Sequence, residues 1–225
     1  MSTKLEEPAI KTNRKVIERW SFSSEQGRVV FKSQPECSAR CFLDVLEKRK
    51  SADKFGDIKL EALSDLFYYS LRTKFTWADE FGTLEKRNVP SAGSLHSISA
   101  FVSNFGSDDW YLYNSQFHAL DLIPRKTAVQ LSSFKQKCFE VIQEQCFGCL
   151  IWYVCDLDLL EAKYDNAETL ALRESGGIVS IQNLIAEYLG YPYRTIGLLG
   201  CEEVKLLSGK RNLLGVGSSI IGGRL

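Results

Sequence analysis

Residues 161–190, EAKYDNAETLALRESGGIVSIQNLIAEYLG, constrain this chain more than any other stretch. From about Glu168, Leu172, Ser175, Gly176, Val179, Asn183 and Ala186 recur at helical spacing. Ile178, Ile181, Leu184, Ile185 and Leu189 add a second apolar stripe. A helix apolar on nearly every side is packed centrally rather than laid on a surface. Gly176 and Gly177 inside it cost roughly 1 kcal/mol each relative to alanine, which predicts a close approach to the backbone there. A polar pair, Lys163–Tyr164, stands in the charged turn at its mouth.

The run CFGCLIWYVCDL at 146–157 reads as a central strand, continuous in hydrophobicity because both faces are covered. LEALSDLFYYSLRTKF at 60–75 puts Leu60, Leu63, Phe67 and Leu71 on one face, with Leu66 beside them, and predicts an amphipathic helix. ISAFVS at 98–103 reads as a strand, and 110–123 as a hairpin turning near Asn114–Ser115. A second amphipathic stretch occupies 131–145. CEEVKLLSG at 201–209 predicts a short helix closed by Gly209. Residues 76–90 show no pattern, 191–200 read as a loop, and the C-terminus reads as a strand with a turn. Residues 19–31 read as a short hairpin around Glu25–Gly27, and LEKRKSADK as a solvated surface. The order of elements predicts an α+β fold with a mainly antiparallel sheet flanked by helices around the buried central helix. Residues 1–32 are expected to be an N-terminal arm or extension, with 1–18 loose or reaching across a partner, and 33–225 the folded domain.

With 28 basic and 28 acidic residues, nothing favours nucleic acid or an anionic membrane as partner. No apolar run approaches the ~20 residues of a membrane span. The charged first twenty residues lack the apolar core of a signal peptide, so a cytoplasmic location is expected. The seven cysteines, 37, 41, 138, 146, 149, 155 and 201, are odd in number and scattered, which fits a reducing compartment. Cys146-Phe-Gly-Cys149 has metal or redox spacing, but no second such pair exists and both histidines are distant. The pair reads as small buried hydrophobes on a strand, and no metal is predicted.

Four separated pieces resemble one family in order and spacing. VPSAGSLHSISAFV resembles a Pro-Ser-Ala/Gly-Gly-Ala-Leu-Tyr-Pro loop and the strand after it. DWYLYNSQFHALDLI is similar to the hairpin that follows. AKYDNAETLALRESGGIVSIQNLIAEYLGY resembles a Lys-Tyr pair, a Leu-x-Glu-x-Gly helix start and a Gln-Asn further on, and IIGGRL resembles a closing Gly-Arg. The family is the nitroreductase-fold flavoproteins, and within them the azoline dehydrogenases of thiazole/oxazole-modified peptide pathways, of the streptolysin S type. The likeness spans roughly residues 33–225.

The resemblance implies FMN bound in a groove between the subunits of a homodimer. Its phosphate would be held by Ser38 and Arg40, the part of an Arg-x-Ser-x-Arg/Lys motif that is present, and by Arg224. The motif's leading arginine is Glu36 here, which repels phosphate unless it turns away or Lys32 substitutes. Pro90, Ser91, Ala92 and Gly93 would lie along the flavin ring. His96 and Ser97 stand where the family has Tyr-Pro. Gln182 and Asn183 either hydrogen-bond the flavin or tie the helix to its neighbours. Lys163 and Tyr164 would be the catalytic pair. Consecutive helical residues point apart, so the pair is expected in the turn before the helix, with the ammonium lowering the phenol's pKa from about 10. The implied reaction is oxidation of a thiazoline or oxazoline to the aromatic azole in a ribosomally made precursor peptide, beside cyclodehydratase subunits. The alternatives are a nitroreductase-type oxidoreductase on another substrate and an FMN-free scaffold subunit. The latter draws on Asp165–Thr169, which replaces the family's arginine- and aromatic-rich run.

Overall fold

Cys149–Asp156 is a strand buried along all eight residues, and the molecule is layered around it. The computed structural model describes residues 6–22, 27–31, 40–80, 82–142 and 146–225. In chain order the strands are β1 (Ala9–Ile10), β2 (Arg28–Val30), β3 (Phe75–Asp79), β4 (Gly82–Lys86), β5 (Ile98–Asn104), β6 (Tyr111–Asn114), β7 (Ala119–Leu122), β8 (Cys149–Asp156), β9 (Tyr164–Asp165), β10 (Tyr193–Ile196) and β11 (Leu213–Ile221). The helices are α1 (Phe42–Lys48), α2 (Leu60–Ser70), α3 (Arg125–Gln130), α4 (Ser132–Glu140), α5 (Leu157–Glu161) and α6 (Glu168–Leu189).

Among the described residues the main sheet runs β10-β11-β8-β5-β6-β7-β2 and every pairing in it is antiparallel. Side chains alternate across a strand, so β8 serves two cores. Cys149, Ile151, Tyr153 and Cys155 pack with Leu63, Leu66 and Phe67 of α2 and Ala171, Ile178 and Ala186 of α6. Leu150, Trp152 and Val154 pack with Ala128 of α3 and Phe134, Cys138 and Phe139 of α4. This is the expected α+β architecture. Cys146 and Cys149 are both buried, as small hydrophobes would be, and burial pushes both thiols up.

Several expectations are corrected. The central helix α6 is buried along one face only: Ala171, Glu174, Ser175, Ile178, Gln182 and Ala186. Leu172 is 50% exposed, and Val179, Ile181, Leu184, Ile185 and Leu189 are half-buried. A Cβ on Gly176 would meet nothing within 4 Å, and one on Gly177 only Pro90 Cγ at 3.7 Å, so the predicted close approach is absent there. Phe75–Asp79 and Gly82–Lys86 pair as the antiparallel strands β3 and β4, hidden from periodicity because all five residues of β3 are exposed. Residues 193–196 are the strand β10 rather than loop. The C-terminus is one nine-residue strand with a bulge between Gly215 and Gly217, not a strand with a turn. Within the expected arm, β2 edges the main sheet and β1 pairs with β9. The predicted turn residues Glu25 and Gln26, and residues 143–145 of the second amphipathic stretch, lie outside the described residues. Among the described residues no helix is long and apolar enough to cross a membrane.

Candidate functional site

Two clusters of the expected site residues form, at opposite ends of α6. The first is built on Lys163 and Tyr164. The chain leaves α5 with Lys163 N–H donating to Leu160 O at 3.0 Å, and Tyr164 enters β9 opposite Ile10. The N-terminal segment fixes this backbone: Lys11 N–H donates to Lys163 O at 2.9 Å and Lys15 N–H to Ala162 O at 3.1 Å. Asn166, in the left-handed region at φ 54°, then turns the chain into α6. The pair therefore precedes the helix, as its adjacency required, and Lys163 Nζ lies 6.0 Å from the centre of the Tyr164 ring.

Against this pair lies the loop Pro90–Gly93. Gly93 is exposed at φ 55° and ψ 24°. A Cβ there would stand 2.5 Å from Lys163 Nζ and 2.7 Å from Tyr164 Oη, so any other residue would carry a strained backbone and displace both side-chain ends. The close approach that the sequence put at Gly176–Gly177 thus occurs at Gly93. Ser91 Oγ accepts the His96 N–H at 2.8 Å. Ala92 N–H donates to Glu174 Oε1 at 2.7 Å, and the Ser91 hydroxyl also bonds that carboxylate.

Glu174 was not singled out by the sequence reading, although it is the glutamate of the Leu-x-Glu-x-Gly helix start. It is a buried carboxylate one helical turn beyond Leu170. Burial pushes its pKa up, and the Ala92 and Ser91 hydrogen bonds oppose that. The loop's far end is held by Arg19, which donates to the carbonyls of Leu95, at 2.5 Å, and His96. Behind it, Arg87 forks onto Glu85 Oε2 through Nε at 2.9 Å and Nη2 at 2.6 Å. Burial pushes Glu85 up, but Arg87, Arg19 and its hydrogen bonds overcome this and hold it at about 2. His96 is buried among these cations and falls to about 3, through burial first and then Arg87, so it is neutral at pH 7.

One chemical expectation is reversed. Tyr164 is raised above the ordinary phenol value, by burial first and then by Glu174, with Arg14 opposing. No lowering by Lys163 is seen, and Tyr164 keeps its proton at neutral pH.

The second cluster lies where α6 ends. Gly190 caps the helix in the left-handed region at φ 82°. Arg40 Nη1 donates to Glu187 O at 3.1 Å and Arg224 Nε to Gly190 O at 3.0 Å, so two exposed guanidinium groups converge on the helix C-terminus. Arg224 is brought there by the bridge of Gly56 to Gly223. Ser38, expected beside Arg40, lies outside the described residues, as do Glu36 and Lys32. Gly177, which touches Pro90, and Gly190 are 13 positions apart, which at 1.5 Å per residue is about 20 Å.

Between the clusters, Gln182 is fully buried. Its carbonyl oxygen accepts from the hydroxyls of Tyr153 and, at 3.2 Å, Tyr193, and its amide donates to Ser70 Oγ at 3.1 Å. Of the two roles left open for it, tying the helix to its neighbours is the one these contacts serve. Asn183 is half-buried on the adjoining face. A cavity of about 660 Å³ is lined by Trp20, Glu85, Arg87, Tyr113 and Asp121 among others and does not reach Lys163, Tyr164 or Gly93. No group of three or more His, Cys, Asp or Glu among the described residues could hold a metal ion.

No family model matches the chain, and no curated protein matches it. Solved structures do. A protein described as a nitroreductase from Ralstonia eutropha superposes with a TM-score of 0.70 at 16% identity, over 96% of this chain and 99% of the other. A chain of the E. coli microcin synthetase McbBCD complex, with truncated pro-MccB17 bound, gives 0.59 at 15% identity over 89% and 79%. A nitroreductase family protein from Clostridium novyi NT gives 0.52 at 16% over 83% and 86%. At such identities the likeness is one of fold: this chain has the nitroreductase fold.

Proposed function

We propose that this chain is an FMN-dependent azoline dehydrogenase acting in a homodimer on a ribosomally made peptide. The observation that carries the reading is Gly93, an exposed left-handed glycine flanked by the Lys163 ammonium and the Tyr164 hydroxyl. The loop offers a surface free of side-chain bulk for a flat ring, with two proton-carrying groups at its edge. The resemblance to peptide-modifying dehydrogenases and the fold shared with a chain of the microcin synthetase complex support the substrate class and cyclodehydratase partners.

The residues fit a flavin in halves. Arg40 and Arg224 make a cationic site suited to phosphate oxygens. They sit at the end of α6 that lies about 20 Å along the helix axis from Gly177, which touches the loop at Pro90, and this separation favours a site completed by a second chain. A second copy with its α6 reversed would bring the arginines of one chain to the loop of the other. The half-buried Val179, Ile181, Leu184 and Ile185 provide apolar surface for such a contact.

FMN held there would supply the two-electron, hydride-accepting chemistry that the aromatisation needs. The protein's part is to hold the ring and take the proton from an azoline carbon. Tyr164, kept as a phenol, accepts that proton only in its ionised form, so the rate should climb toward alkaline pH. Lys163, whose Nζ lies beside Gly93 together with Tyr164 Oη, is the second proton-carrying group at this edge. The test is to purify the protein, measure FMN per chain, and incubate it with a thiazoline-containing peptide. The reading expects one FMN per chain and loss of two hydrogens per ring. Loss of azole formation in a Lys163→Ala/Tyr164→Phe variant completes the expectation. Colourless protein that refuses FMN would end the enzymatic reading and favour a scaffold. Bound FMN that leaves azolines untouched would favour an oxidoreductase on another substrate.

A further inference from the structure

We propose that Glu174 is the positioning residue of this site, a single carboxylate that pins the Ser91–Ala92 backbone to α6 and faces the Tyr164 phenol across Gly93. The geometry is a short chain of contacts. Glu174 Oε1 holds the Ala92 N–H at 2.7 Å, and the next residue, Gly93, lies against Tyr164 Oη and Lys163 Nζ. This buried carboxylate is held by a backbone N–H and a hydroxyl, with Arg173 and Arg87 acting on it only through space. Its two tasks are therefore linked: the bonds that place the loop also aim a negative charge toward the phenol.

The surrounding charges are few. Arg14 of the N-terminal segment opposes Glu174 at Tyr164, and Lys163 is its sequence neighbour. Lys11 and Asp165, from β1 and β9, pair with each other at 3.7 Å. Arg173 and Arg87 act on Glu174 itself. Removing the Glu174 charge should therefore let Tyr164 ionise at lower pH, since a like charge disfavours the phenolate. Its catalytic weight rests on Tyr164 being the proton acceptor proposed above, but the coupling belongs to the chain without cofactor.

The experiment titrates the tyrosinate absorption of cofactor-free protein, using a Tyr164→Phe form of each variant to isolate the Tyr164 component. Glu174→Gln keeps an oxygen for the Ala92 N–H but loses the charge. Glu174→Asp keeps the charge but shortens the reach, and Glu174→Ala is a second charge-free form should the glutamine variant not fold. The expected result is a downward shift of the Tyr164 titration in the charge-free variants and little shift in Glu174→Asp. An unmoved titration in Glu174→Gln, or an equal shift in Glu174→Asp, overturns the proposal. If the titration shifts as expected in a protein that binds no FMN, the coupling stands and the dehydrogenase reading alone falls.

Discussion

Gly93→Ala tests the geometry of the first cluster without any cofactor. At φ 55° the alanine Cβ carries a left-handed backbone cost of about 1–2 kcal/mol. The new methyl would also stand 2.5 Å from Lys163 Nζ and 2.7 Å from Tyr164 Oη. Both are side-chain ends that can give, so the steric addition is on the order of 1 kcal/mol rather than a full core overpacking cost. The sum, about 2–3 kcal/mol, corresponds to a fall in Tm of roughly 4–12 °C for a chain of this size. The assay is urea denaturation of wild type, Gly93→Ala, Lys163→Ala/Tyr164→Phe and the combined variant. The account predicts that Gly93→Ala costs only the backbone share once Lys163 and the Tyr164 hydroxyl are gone, a coupling of at least about 0.5 kcal/mol. Strict additivity, within about 0.3 kcal/mol, would show that the methyl never meets the pair.

Gln182→Leu leaves two buried tyrosine hydroxyls and Ser70 short of partners, and should cost about 2–4 kcal/mol by denaturation without abolishing the fold. Gly190→Ala forces a left-handed alanine against Arg224, whose Nη2 would lie 3.1 Å from the new Cβ. It should cost about 1–2 kcal/mol by the same measurement and weaken binding of FMN more than binding of riboflavin. Burial, then Arg72, lowers His118 to about 4. The unfolded chain therefore takes up a proton there near pH 6.5 while the folded chain does not. Stability from this group is fully present above pH 6.5 and falls as pH drops toward about 4. His118→Gln should flatten the decline between those limits, and an unchanged slope would contradict the assignment.

What could be read from the residues was what periodicity records. β8 showed as an unbroken apolar run because both its faces are covered, and α2 as a stripe because one of its faces is. The Lys163–Tyr164 pair was placed ahead of α6 because adjacent side chains cannot share a helix face. What could not be read depended on long-range partners. β3 is exposed throughout and carries no alternation, and β1 is two exposed residues defined by their pairing with Tyr164 and Asp165. α6 looked apolar all round because composition does not distinguish a face against the sheet from a half-buried one. The rise in Tyr164 was hidden for a similar reason. Lys163 is its neighbour in sequence, whereas Glu174, which bears on it, is ten residues on and a helical turn deep. Glu174 itself stood in a quoted motif, and only the Ala92 N–H showed what it holds.

The central claim is that one flavin is shared by two chains, with cations from one and the Lys163–Tyr164 pair from the other. Mixing two defective variants tests it most directly. Arg40→Ala/Arg224→Ala lacks the cations, and Lys163→Ala/Tyr164→Phe lacks the pair, so each alone should fail to form azoles. Co-refolded mixed dimers carry one intact site if the site is composite, and activity should return to a substantial fraction of wild type. Mixed dimers that stay inactive although both variants are folded and paired would contradict the shared site.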